Sequence, residues 1–452
     1  MIYSVIFGVI GLIFALVLTP WVIRLGECGV GLDRPDSYRK AHREPVSRLG
    51  GAPVFAVFLL SAVAVFLLRP VEWLRWIPVV VTVGLMFGLG LWDDLRPLGA
   101  KLKLFCQILI AILAFCMGLK IGSVSYGGGF NIELGALGFF VTIFWLISVP
   151  NIVNLIDGVD GLAAGLGLML FCILGYVGWR MGQTDVAWVC FGLAGVLLGF
   201  LCFNFPPAKI FLGDGGAYLI GSAVACLSLI SAHKGTVAAV MLVMVVALGL
   251  PIMDTLFALI RRAFRGFPLF HADAEHIHHR LRRLGLSERR IVLGLYLVSV
   301  VFSLVALSLI WSQGRTLPIA LAILFLITVL MVRYLGYIWS WAGLAGQIRI
   351  SIERRSEVKY ALLQASLMEL EVERCRDLAE FRNLMAMALQ RVGFVVDGPV
   401  DPERYLNVTL YFAGEESLVL QAPNKIRDQD HWRRLAECFR RPYLKALKHW
   451  RS

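Results

Sequence analysis

Long apolar runs alternate with short polar stretches through the first three quarters of the chain. The pattern predicts about eleven membrane-spanning helices, over residues 2–22, 51–68, 76–92, 104–119, 136–152, 161–179, 186–203, 215–232, 236–259, 291–311 and 317–341. Most are near the length a helix needs to cross about 30 Å of hydrocarbon at 1.5 Å per residue. The first run carries no basic leader and no clear small-residue cleavage site, so it reads as a retained helix. Near residue 345 the pattern changes. Residues 352–393 set Leu363, Leu367, Leu370, Leu378, Phe381 and Leu384 at helical spacing among charges, which predicts one amphipathic helix. "YLNVTLYF" and "SLVLQAP" flank the turn "AGEE" and predict a hairpin, and residues 428–450 predict more helix. The expected fold class is an all-α polytopic membrane domain, residues 1–344, followed by a small α+β domain, residues 345–452.

Composition agrees. Of 452 residues, 58% are hydrophobic and only 16% charged, which excludes a soluble enzyme. The formal charge of +12 is accounted for by basic cytoplasmic loops rather than by nucleic acid. Arg34, Arg39, Lys40, Arg43 and Arg48 follow the first run. Arg96, Lys101 and Lys103 follow the third, and Arg261, Arg262, Arg265, Arg280, Arg282 and Arg283 follow the ninth. The alternate loops hold little more than Lys120, Arg180 and Lys234. The N-terminus is therefore expected outside and the C-terminal domain in the cytoplasm. The nine cysteines are scattered with no C-x-x-C pair, so neither a disulfide framework nor a zinc site is expected.

A lone Asp at the bilayer centre costs roughly 3 kcal/mol, so the position of each acid carries information. Asp33, Asp93, Asp94, Asn154, Asp157, Asp160, Asp214 and Asp273 all fall on the cytoplasmic side of this topology. A transporter would hold such groups nearer the midplane. Adjacent carboxylates in "GLWDDLRPLGAKLKLFCQ" need a cation, a metal or the Lys101 and Lys103 that follow; a solvated helix end is the alternative. In "FLGDGGAYLIG", Asp214 suits a hard-cation ligand, and equally a helix N-cap. "HADAEHIHHRLRR" gathers His271, His276, His278 and His279 among arginines, which fits phosphate oxygens better than zinc. Lys40 and His42 are further phosphate-side candidates. Carboxylates for Mg²⁺ beside a rim of Arg, Lys and His are the equipment of phosphoryl transfer at a membrane.

The combination of D-D at 93–94, N-x-x-D-G-x-D-G-L at 154–162, F-L-G-D-G-G at 211–216 and H-I-H-H at 276–279 resembles the polyprenyl-phosphate N-acetylhexosamine-1-phosphate transferases, over about residues 1–340. The resemblance implies transfer of a phospho-sugar from a UDP-sugar to undecaprenyl phosphate in the bacterial inner membrane, with release of UMP. It implies Mg²⁺, or Mn²⁺ in its place, on Asp214 with Asn154 close by. Asp93 and Asp94, with Lys103 beside them, would organise the lipid phosphate and either take its proton or only position it, Asp157 and Asp160 would face the nucleotide, and His276, His278, His279 and Arg280 would hold the diphosphate and sugar. The histidine loop resembles the branch that uses UDP-GlcNAc in the first membrane step of cell-surface polysaccharides. Many relatives carry Arg directly after the loop Asp, where this chain has Ala274 after Asp273. Another UDP-N-acetylhexosamine, UDP-MurNAc-pentapeptide, or a non-enzymatic transporter are the rivals. A homodimer is a family expectation, and the C-terminal domain is expected to bind a cytoplasmic partner.

Overall fold

The structure, a computed structural model, describes residues 2–27, 29, 31–33, 46–69, 72–126, 130–231, 237–265, 277, 281–282, 284–312, 315–334, 354–395, 405–411, 417–423 and 429–451. They fall in two compact units. The first holds α1 (Ile2–Glu27), a short hairpin β1 (Leu32–Asp33) and β2 (Val46–Ser47), α2 (Gly51–Leu68), α3 (Trp73–Leu95) and α4 (Ala100–Cys116). It continues through a second hairpin, β3 (Ser123–Tyr126) and β4 (Phe130–Glu133), to α5 (Leu137–Ile156), α6 (Leu162–Arg180), α7 (Thr184–Asn204) and α8 (Gly213–Ile230). α9 (Val237–Ala247), α10 (Gly249–Arg265, of which the part up to Ala258 belongs to this unit), α11 (Glu288–Trp311) and α12 (Leu317–Tyr334) follow.

Eight of these helices are long and apolar enough to cross a membrane: α1, α2, α3, α5, α6, α7, α8 and α11. The other three expected spans differ. α4 has 17 residues, and the apolar part of α12 is Leu317–Leu330. The run 236–259 is two helices, because Pro251 in the first turn of α10 has no N–H to continue the ladder from α9. α8 sits innermost. It is apolar all round, nearly every residue is buried, and it packs on α2, α3 and α5. α1 instead shows most of its surface outward, and it meets α7 through glycine: a Cβ on Gly195 would overlap the Gly8 carbonyl. Small residues let helix backbones approach where the lipid tails supply no hydrophobic drive.

The second unit contains α13 (Arg355–Glu371), α14 (Leu378–Val392), the antiparallel hairpin β5 (Tyr405–Tyr411) and β6 (Ser417–Pro423), α15 (Gln429–Cys438) and α16 (Arg440–Arg451). The expected single helix over 352–393 is thus two. The Asp377 carboxylate accepts the Glu380 N–H at 2.8 Å and starts α14 afresh; Gly393, at φ +106°, ends it. The break frees α13 to rotate, and its buried face is Val358, Ala361, Ala365 and Met368. Leu363, Leu367 and Leu370, the expected core face, are 58%, 44% and 64% exposed. Phe381 on α14 is buried as its spacing predicts.

Candidate active site

The F-L-G-D-G-G stretch runs from a short backbone bridge at Ile210 and Phe211 into the first turn of α8. Phe211 N–H donates to the Ser47 carbonyl at 2.8 Å and Gly50 N–H to the Phe211 carbonyl at 3.0 Å, so β2 holds it in place. The start of α2, the end of α3 and the start of α8 then meet backbone to backbone. A Cβ on Gly51 would lie 2.5 Å from the Gly216 nitrogen, and one on Gly90 would overlap the Asp214 carbonyl. Gly213 has φ +76°, and a Cβ there would lie 2.6 Å from Asp94 Oδ2. Only glycine meets both demands at 213.

This contact places Asp214 in the first turn of α8, facing the last turn of α3. Asp94 accepts the Asp214 N–H on Oδ1 at 3.0 Å and the Gly215 N–H on Oδ2 at 2.9 Å. It serves as the cap that α8 lacks locally, satisfying N–H groups that a helix start leaves open. Asp93 points elsewhere: Oδ1 accepts the Leu98 N–H at 2.6 Å, and Oδ2 accepts the Lys103 ammonium at 2.5 Å. Lys103 also donates to Asp214 Oδ2 at 2.8 Å, joining α3, α4 and α8. The side chains of Lys103, Asp93 and Asp214 are 20%, 12% and 25% exposed, so the cluster is largely covered yet open to a ligand.

Asn154 lies in the last turn of α5 and Asp157 directly follows the helix, both half-buried. Burial, and then repulsion from Asp214, Asp94 and Asp160, holds the Asp157 carboxyl well above the usual carboxylate range, with Arg48 opposing. Those couplings put Asp157 in the electrostatic field of the Asp94 and Asp214 cluster. Asp160 is turned toward the α7–α8 connection, where its Oδ2 accepts the Ala208 N–H at 2.9 Å. Among the described residues no three His, Cys, Asp or Glu side chains are grouped closely enough to hold a metal ion by themselves. His276, His278, His279, Arg280, His271, Asp273, Ala274, Lys40 and His42 lie outside the described residues.

Several polar groups absent from the sequence reading support the cluster. Tyr296 on α11 donates to the Gly161 carbonyl at 2.5 Å and pins the D-G-x-D-G turn, and Arg289 donates to the Pro206 carbonyl at 2.8 Å. Gln107 on α4 and Asn151 on α5 pair through their amides, at 2.7 Å for the shorter bond. Asp254 on α10 is buried and accepts the N–H of Ile277, the residue between two of the loop histidines, at 3.0 Å. The signal for Gln107, Asn151, Asp254 and Tyr296 was a polar side chain inside an otherwise apolar run, whereas Arg289 lies in the charged stretch before one.

Residues 76–232, which include the two aspartates, Lys103, Asn154 and Asp214, match the family model described as glycosyl transferase family 4. A probable undecaprenyl-phosphate N-acetylglucosaminyl 1-phosphate transferase of Bacillus subtilis is 34% identical over 333 residues, 73% of this chain and 91% of the relative. An undecaprenyl-phosphate alpha-N-acetylglucosaminyl 1-phosphate transferase of Salmonella typhimurium is 28% identical over 337 residues, 73% of this chain and 90% of the relative. A phospho-N-acetylmuramoyl-pentapeptide-transferase of Enterococcus hirae is 37% identical over 219 residues, 47% of this chain and 65% of the relative. With its bundle of apolar helices and these matches, the chain is a multi-pass membrane protein that belongs to the polyprenyl-phosphate N-acetylhexosamine-1-phosphate transferases of glycosyl transferase family 4.

Proposed function

We propose that this protein transfers N-acetylglucosamine 1-phosphate from UDP-GlcNAc to undecaprenyl phosphate at the cytoplasmic face of the bacterial inner membrane, releasing UMP. The observation that carries this reading is the Lys103 ammonium held between Asp93 and Asp214 at the ends of apolar helices. Fixed charges of both signs at a helix end suit a reaction between a lipid-anchored phosphate and a soluble nucleotide sugar, where positioning and charge neutralisation do most of the catalysis. The names of the Bacillus and Salmonella relatives support the sugar and the lipid class. Arg48, Arg96 and Lys101 at this end of the bundle support a cytoplasmic orientation.

An oxygen of the lipid phosphate attacks the sugar-linked phosphorus, and the bond to UMP breaks with its electron pair leaving on the UMP phosphate. A phosphate monoester has a second pKa of about 6, so the attacking oxygen is already ionised near neutral pH. No general base is needed, and Asp93, with both oxygens engaged by Leu98 and Lys103, orients Lys103 rather than taking a proton. Asp94 likewise positions Asp214 through its backbone. Mg²⁺ uses one or two carboxylates together with substrate phosphates rather than an all-protein cage. The excess of carboxylates over cations felt by Asp157 fits that habit, and Asp214, together with Asn154 and Asp157 of the family motif, would hold the ion. When bound, it supplies positive charge opposite the diphosphate and the departing UMP. Asp160 and the turn pinned by Tyr296 face the nucleotide, and the histidine loop takes the diphosphate and sugar.

The Enterococcus relative favours one second reading, the same transfer from UDP-MurNAc-pentapeptide. Purified protein with undecaprenyl phosphate, Mg²⁺ and each donor in turn separates them by UMP release. The expected result is release with UDP-GlcNAc alone, abolished by Asp214→Ala. Silence with both donors in folded protein would overturn the proposal.

A further inference from the structure

The four sequence motifs do not include Asp254. It stands on α10 in the run G-L-P-I-M-D-T-L-F-A-L and is only 7% exposed. An ionisable group inside so apolar a segment is costly to keep, and a helix there does not require one. Its Oδ1 accepts the Ile277 N–H at 3.0 Å, a contact made across 23 residues of chain. Ile277 is the second residue of H-I-H-H and is itself only 3% exposed. A buried N–H needs an acceptor, and Asp254 supplies it.

The side chain of Ile277 is held as well. It lines a mostly apolar pocket together with Ile156, Leu162, Leu295 and Asp254. Ile156 and Leu162 are the residues on either side of D-G-x-D-G at 157–161. Leu295 precedes Tyr296, whose hydroxyl donates to the Gly161 carbonyl of the same turn at 2.5 Å. Ile277 is therefore tied twice, by its backbone to α10 and by its side chain to the turn that carries Asp157 and Asp160. The two ties do different work. Apolar contact has no direction and leaves the backbone free to swivel about the buried side chain, whereas the hydrogen bond fixes its orientation. His276 and His278 are the chain neighbours of Ile277, so a fixed Ile277 limits where the histidine loop can go.

We propose that Asp254 is a positioning residue for the sugar-nucleotide donor. Through the Ile277 N–H it seats the H-I-H-H loop against the D-G-x-D-G turn, and the loop in turn meets the donor diphosphate. The inference rests on the transferase reading above and adds a residue to that site. What the clamp requires at position 254 is a hydrogen-bond acceptor. Asparagine keeps one, and leucine, of similar size, removes it.

The test compares full-length wild type, Asp254→Asn and Asp254→Leu by initial rates of UMP release, with UDP-GlcNAc and undecaprenyl phosphate varied in turn. Asp254→Leu is expected to raise KM for UDP-GlcNAc about tenfold, the worth of one buried hydrogen bond, with KM for the lipid unchanged. Asp254→Asn should recover most of that loss. Ile277→Ala shrinks the side-chain anchor and keeps the acceptor; it should shift the same KM, and it stands in if the leucine variant does not fold. Hydrogen–deuterium exchange of the same proteins reads the clamp without the reaction. The segment containing Ile277 should exchange about tenfold faster in Asp254→Leu and near the wild-type rate in Asp254→Asn. Unchanged exchange in Asp254→Leu would overturn the clamp. An unchanged donor KM, a fall in kcat alone, an equal rise in both KM values, or equal losses in the two Asp254 variants would overturn the role in donor positioning. A wild type that releases no UMP would instead sink the transferase reading and the donor role with it, while the clamp would still stand or fall on exchange.

Discussion

Lys103→Met isolates the interaction on which the site is built. Methionine keeps much of the lysine stem and its packing, so the change removes chiefly the ammonium. Two charge-assisted hydrogen bonds are lost, to Asp93 at 2.5 Å and to Asp214 at 2.8 Å. Each contributes about 1.5–3 kcal/mol, and the carboxylates left behind lose their shared counter-ion. Because the three side chains are a quarter exposed or less, solvent restores only part of this, and a net loss of about 3–5 kcal/mol is expected. Asp93→Asn alone should cost less, since Lys103 keeps Asp214. In the double variant one unbalanced carboxylate is gone, so the combined loss should fall short of the sum by about 1–2 kcal/mol. The assay is reversible denaturant unfolding in mixed micelles, with the four proteins of the cycle measured side by side. Additivity within about 0.5 kcal/mol would refute the coupling, because directly bonded residues do not behave independently. UMP release by Lys103→Met should fall by about 10²–10³-fold if Lys103 faces developing charge.

Two further substitutions probe the scaffold and the electrostatics. Gly213→Ala forces a side chain into φ +76° and against the Arg48 carbonyl, so it should destabilise by more than about 1 kcal/mol, read from the same unfolding assay. Asp157→Asn should stabilise the protein. A carboxyl whose pKa is raised on folding binds its proton more tightly in the native state, so stability falls as pH rises from the unfolded pKa, near 3.8, through the higher folded one. The gain from asparagine should therefore be absent near pH 3 and grow as pH rises above 4. A thermal-shift series across that range would contradict the account if the gain were flat or reversed. Under the proposed reaction the same variant should also lose activity, because Asp157 is among the residues proposed to meet the cation and the nucleotide.

The path from residues to helices was short where one physical demand dominated. Apolar runs of eighteen residues or more have few other fates, and eight of them are helices of spanning length. The hairpin in the second unit also followed directly, because alternating β-branched and aromatic residues around a polar turn fit little else. The reading was weaker where local pattern was ambiguous. A helical spacing of leucines in α13 marks a face without saying which face is buried, and the break at residues 372–377 let Ala361 and Ala365 take the core instead. The run 236–259 hid its interruption because Pro251 stands among residues as apolar as those of a continuous span.

At the site the division is similar. By itself the sequence singled out the polar residues expected at the site, since ionisable groups in so apolar a chain are costly. It also determined that they gather at one end, because each lies next to the end of an apolar run. Only the tertiary structure decided their partners. Asp93 and Asp94 are neighbours in the chain, but successive helical side chains point about 100° apart. One therefore reaches Lys103 and the other the backbone of α8. Tyr296 and Asp254 act on turns far away in the chain, and no spacing along the chain encodes a contact made across a bundle.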